Sequence, residues 1–168
     1  MIVNSIEPKL LVNNSMDPNE QILHIDFAQY PNWLKSQKSG KFTNFYENDK
    51  HIEKTYFSLL SKVFPFAQQH IVSIMANNKD HCHLIEGNAY ITAKGAIENI
   101  HQFEIGENID LWQLGVAGGT RIIGPIMSND NTFTFYPMLV DCNHLLLPST
   151  IGSNNKKDFK KFKRRLSK

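Results

Sequence analysis

Arg121 is the sole arginine in the first 155 residues. It sits in the run DLWQLGVAGGTRIIGPIMSNDNTFTFYPMLVDCNHLLLP, near whose end stands the polar cluster Asp141-Cys142-Asn143-His144. A guanidinium among apolar strand residues needs a carboxylate, backbone carbonyls or a ligand phosphate to offset its desolvation. If the partner is a phosphate, Arg121 would stabilise its charge and His144 would give or take a proton. Asp141 and Tyr136 are the further polar candidates. A second constellation is His81-Cys82-His83. Its two imidazoles stand two apart on an extended segment, and with Asp141 and His144 they make an HxH plus DxxH donor set for zinc or another divalent ion. The competing reading makes His83 a capping or core histidine beside a helix start, and no metal or cofactor is then needed. His24, His51, His70 and His101 fall inside elements and are read as structural.

The elements that must position these groups follow from periodicity. Residues 1–20, with Pro8 and Pro18, read as an irregular lead-in, and ILHIDF at 22–27 alternates as a strand does. A short helix is expected at Tyr30–Lys35, followed by the turn-rich linker SQKSGK. In Asp49–Val63 the residues Ile52, Tyr56, Phe57, Leu59, Leu60 and Val63 recur at helical spacing, with Asn48 or Asp49 as the cap. Pro65 then interrupts and suits the first turn of a second helix, which runs to Asn77-Asn78. A third helix is expected at Asn88–Phe103, its alanines packing closely on a flat partner.

Three strands come last: Leu111–Ala117, Thr120–Met127 and Thr132–Asp141, joined by the two-residue turn Gly118-Gly119 and by residues 128–131. The expected architecture is therefore α+β, with N-terminal helices on a C-terminal antiparallel meander in a single domain over 21–150. That turn would set Arg121 opposite Val116, and the next hairpin would set it opposite Met138 and diagonal to Tyr136. His144 would then lie six residues beyond the partner of Arg121, about 20 Å away on a straight strand. The two meet only if the chain bends after Val140.

The net charge of +2 hides an asymmetry. Residues 156–168, KKDFKKFKRRLSK, hold eight of the 18 basic residues and one of the 16 acidic ones, a tail of +7 on a body of −5. Lys157, Lys160, Lys161, Lys163, Arg164 and Arg165 are the candidates for phosphate-backbone contacts, and folding back onto the acidic body or remaining solvated are the alternatives. Phe159, Phe162 and Leu166 in that tail share a helical face. Cys82 and Cys142 are too few for a disulfide scaffold, and no window approaches the roughly 18 apolar residues of a membrane helix, so a reducing cytoplasm without a membrane partner is expected. No GxxxxGK[ST], GxGxxG or GxSxG motif is present, which removes the common phosphate-loop, dinucleotide and hydrolase-elbow classes.

LWQLGVAGGTRIIGPI followed by TFTFYPMLVDCNHLL resembles the last part of the RelE/ParE-like toxins of bacterial toxin–antitoxin pairs. The shared features are an aromatic-bearing strand, a glycine turn, an arginine followed by branched apolar residues, and a third strand ending in polar residues. The resemblance implies a small antiparallel sheet with helices on one face, a metal-independent endoribonuclease in the RelE branch, and an antitoxin partner covering the site. Arg121 matches the strand arginine that supports the scissile phosphate, and His144 stands by position where a proton-transfer group is found. The acidic body and the additional N-terminal residues depart from that pattern. A non-catalytic nucleic-acid- or protein-binding protein of a mobile element or phage is the leading expectation. The ribonuclease and a metal-dependent phosphodiesterase are its alternatives.

Overall fold

The computed structural model describes residues 21–39, 42–117 and 120–146. The lead-in 1–20, the Gly118-Gly119 turn and the basic tail lie outside the described residues, as do all six of its candidate contact residues.

Asn48 opens the first helix by accepting the His51 amide on its side chain at 2.9 Å. Helix α1 (Asp49–Ser58) continues through a π turn (Leu59–Val63) into α2 (Phe64–Met75). Pro65 was expected to interrupt here, yet the helix runs on. Proline has no N–H and its ring crowds the carbonyl four residues back. The wide turn just before it, closed by the Phe64 N–H on the Leu59 carbonyl, gives that carbonyl room. Helix α3 (Gly87–His101) falls within two residues of its expected bounds. Gln102 ends it in the left-handed conformation (φ 59°), donating its N–H to the Glu98 carbonyl at 2.8 Å.

The fold is α+β, but its strands do not form one C-terminal meander. Strand β1 (Ile22–Ile25) precedes the helices and pairs in parallel with β8 (Thr132–Phe135), which pairs on its other side with β7 (Ile126–Asn129). Residues 30–35 form turns in place of the expected helix, and the expected linker carries the short strand β2 (Lys38–Ser39), which pairs antiparallel with β3 (Phe42–Thr43) just after it. A four-stranded antiparallel sheet runs β4 (His83–Leu84), β5 (Trp112–Gly115), β6 (Arg121–Gly124), β9 (Leu139–Asp141).

Two prolines explain the division. The second expected strand breaks at Pro125 into β6 and β7, and the third breaks at Pro137 before β9, because a proline cannot donate to a ladder. The hairpin survives the break, since the Tyr136 amide bonds the Pro125 carbonyl at 3.0 Å and the Met138 amide bonds the Ile123 carbonyl at 2.9 Å. One extra residue on the returning strand makes this a bulge, and the hairpin bends there from one sheet into the other.

Both faces of the four-stranded sheet are covered, whereas the toxin resemblance implies helices on one face. Trp112, Leu114, Ile122 and Val140 pack with Leu59, Val63, Ala67, Ile71 and Ile74 of the π turn and α2. Ile123 and Leu139 pack with Ala89, Ala93, Ala96, Ile97 and Ile100 of α3. The alternation of strand side chains accounts for this: Ile122 and Ile123 are neighbours in sequence and must serve opposite cores.

Candidate functional site

Arg121 heads β6 opposite Gly115 and Asp141, not opposite Val116 and Met138 as the two-residue turn implied. The register differs by one residue on β5 and by three on β9. In this register residues 116–120 lie between β5 and β6. By strand alternation Arg121 shares a sheet face with His83, Gln113, Gly115 and Asp141. Arg121 therefore lies on the face opposite Trp112 and Leu114, and not on the Val116 face that the two-residue turn implied.

Arg121 is 2% exposed, an extreme burial for a charged residue. Its Nη1 donates to the Val116 carbonyl at 2.6 Å and to the Thr120 carbonyl at 3.4 Å. Its Nη2 stands 3.4 Å from His81 Nδ1. Arginine can only donate, so Nδ1 accepts and the His81 proton resides on Nε2. Gln113 Nε2 reaches the His81 carbonyl at 3.4 Å. His81 is exposed and held at φ 66°, a left-handed conformation that non-glycine residues seldom take.

Asp141 is fully buried across from Arg121, and its two carboxylate oxygens accept the amides of Leu145 and Leu146 at 3.0 and 2.9 Å. Burial pushes its carboxyl upward, against those amides and Arg121, which favour the ionised form. These two bonds turn the chain sharply, and His144 takes φ 53° within the turn. The bend that a straight strand would lack is therefore present. Half-buried His144 is brought within electrostatic reach of Arg121, His81 and His83, and burial first, then those three groups, pull it down to about 4. Burial, then Arg121 and His81, also lower His83.

The expected candidates thus separate into two sets. Arg121, His81, His83, His144 and Asp141 gather at one end of the sheet. Tyr136 stands at the bulge near the far end of β6, packed edge-on against Tyr30 at 6.2 Å between ring centroids. His101 is structural, bonded to the Met138 carbonyl at 2.9 Å. Among the described residues no group of three or more His, Cys, Asp or Glu side chains is arranged to hold a metal ion. His81 Nδ1 faces the Arg121 guanidinium, and both Asp141 oxygens already accept backbone amides.

Two residues not singled out from the sequence complete the site. The Arg121 side chain lies flat across Gly115, where a Cβ would come within 2.8 Å of Nε and 2.9 Å of Nη1. A glycine inside a strand is the sequence signal for such an approach. Gln113 is 1% exposed, and its Oε1 has no hydrogen-bond partner among the described residues. Cys82 lies behind them, its Sγ 3.3 Å from the Gly115 carbonyl, and its thiol is pushed up by burial.

The lowered His144 makes a pH prediction. Unfolded, this imidazole titrates near 6.5, and in the fold near 4, so between those values the unfolded chain binds a proton that the folded chain refuses. Stability contributed by neutral His144 is complete above pH 6.5 and falls as the pH drops towards 4, by roughly 1–2 kcal/mol once its half-exposure is discounted. Thermal midpoints measured across that window should fall more steeply for the native chain than for His144→Asn, whose side chain tolerates the left-handed backbone.

The chain belongs to the family described as uncharacterised protein UU032, whose model matches residues 29–167. That match runs through the basic segment as well as the folded body. No curated protein and no solved structure was found to match the chain.

Proposed function

We propose that this protein binds RNA and seats a backbone phosphate at the Arg121 cluster. The convergence of one buried guanidinium with the imidazoles of His81, His83 and His144 at a single sheet end is the observation that carries the reading. Arginine supplies planar donors matched to phosphate oxygens, and the imidazoles of His83 and His144, held neutral by burial, add N–H donors without adding charge. The basic residues of the tail, Lys157, Lys160, Lys161, Lys163, Arg164 and Arg165, extend the contact along the backbone and make it salt-dependent.

A second reading is metal-independent cleavage of that phosphodiester, with His144, neutral at pH 7 but made a weak base by its lowered pKa, accepting a proton from an attacking hydroxyl. The RelE-like likeness supports this only through the strand arginine. The parallel β1 and the helices on both sheet faces depart from what that likeness implied. A protein partner in the manner of an antitoxin belongs to the same reading, and a setting in a mobile element or phage belongs to the binding reading.

The test is binding of a fluorescent single-stranded RNA to the native chain and to Arg121→Lys, which keeps the charge and loses the planar fork. Affinity should fall by about tenfold while the thermal midpoint moves by a few degrees. Deleting residues 156–168 should flatten the salt dependence. Equal binding by Arg121→Lys removes Arg121 as the phosphate seat. Intact RNA after long incubation with the native chain ends the cleavage reading and leaves the binding reading standing.

A further inference from the structure

We infer that the edge strand β7 pairs with the β7 of a second copy of this chain, antiparallel and centred on Met127, so that two three-stranded sheets become one. The proposed phosphate seat plays no part in this. Register decides which backbone groups of β7 face outward. The Tyr136 amide bonds the Pro125 carbonyl, so by antiparallel alternation Met127 and Asn129 bond β8, opposite Thr134 and Thr132. The amides and carbonyls of Ile126 and Ser128 therefore point away from the sheet, and they have no hydrogen-bond partner among the described residues. Two other outward edges are met by side chains: Gln68 of α2 takes the Leu23 amide of β1 at 3.1 Å, and Asn77 takes the Leu84 amide of β4 at 3.3 Å. Bare edges are usually guarded by charge or proline, yet Ile126–Asn129 holds neither, and Pro125 guards one end alone.

Symmetry and charge favour a second copy as the occupant. Setting Ile126 against Ser128 of the other copy places a twofold axis at Met127, and every outward amide then meets an outward carbonyl. Met127, 54% exposed, faces its own counterpart in the closer, non-hydrogen-bonded position, where the two side chains leave water together. No ionisable side chain lies within the pairing. Asp130, the nearest, falls just beyond it opposite Gly124, so no like charges meet. A slip of one residue on each strand would set Asp130 against Ile126, a charge brought beside a buried apolar side chain. The pairing is short, which makes the dimer weak and concentration-dependent.

Sedimentation of the full chain from micromolar to near-millimolar concentration tests this, at about 150 mM salt and again at about 1 M, where exposed charges are screened beyond ~3 Å. The weight-average mass should climb towards twice that of the chain at both salts, and the Ile126 and Ser128 amides should exchange hydrogen more slowly as it does. Ser128→Pro removes an outward amide and no bond of the fold, since an edge strand tolerates proline there. Its thermal midpoint should stay close to that of the native chain while association weakens by about tenfold or more. Met127→Lys sets like charges across the axis and should weaken association by a similar factor. A chain that stays monomeric throughout overturns the inference, as does a dimer that survives both substitutions. Unfolding by Ser128→Pro overturns it too, because that amide would then be bonded within the sheet. A dimer that dissolves at the higher salt is instead the basic segment 156–168 seated on another copy's acidic body, and it also overturns the strand pairing.

Discussion

Gly115→Ala should lower RNA affinity by tenfold or more without removing a charge or a hydrogen-bonding group. The new methyl group would occupy the space through which the Arg121 side chain runs, overlapping Cδ and standing 2.8 Å from Nε. Since Arg121 is buried between β5 and β9, it has no free rotamer to retreat into and must leave the sheet face. Its bonds to the Val116 carbonyl and to His81 Nδ1 are then lost together. Overpacking of this kind costs about 1–3 kcal/mol, so the fold survives with a reduced thermal midpoint. Binding isotherms and the His81 ring resonance are the readouts. Native affinity in a folded Gly115→Ala would show that the guanidinium does not hold the phosphate.

The largest loss of stability is expected for Gly124→Ala. A Cβ there would overlap the Tyr136 carbonyl oxygen and lie 2.9 Å from its carbon, and both are backbone atoms that cannot rotate aside. The bulge that bends the hairpin between its two sheets would be forced open, for a cost of roughly 2–4 kcal/mol or a fall of about 5–15 °C in thermal midpoint. Gly95→Ala is the matched control. It sits inside α3 with nothing within 4 Å of a new Cβ, and it should raise stability by about 0.5–1 kcal/mol. Equal midpoints for Gly124→Ala and the native chain would remove the close approach as a constraint.

Local signals made the helices legible, since Asn48 caps α1 and the alanine stripe of α3 announces a close-packed face. They also singled out Arg121, Asp141 and His144, which the fold brings to one end of the sheet. The register was beyond them, because Gly118-Gly119 suits a two-residue turn as well as a longer connection, and a slip of one exchanges the two faces. Pro125 and Pro137 were the visible marks of strand breaks and carry more weight than the alternation around them. The bend that delivers His144 depends on Asp141 capturing two amides further along the chain, a contact that no periodicity encodes. Gly115 and Gln113 acquire meaning only from what lies across the strand.

Strand β1 also sets a timetable. Ile22 pairs with Thr132, and Ile25 with Phe135. During synthesis the first strand must wait for about 110 residues to be added, roughly 5–20 s at ordinary ribosomal rates, before its partner exists. Closing so long a loop is slow, and the waiting segment exposes Leu23 and Ile25 to other chains. The nascent protein is therefore most vulnerable to aggregation just before its last quarter emerges, and a holding chaperone would act in that interval.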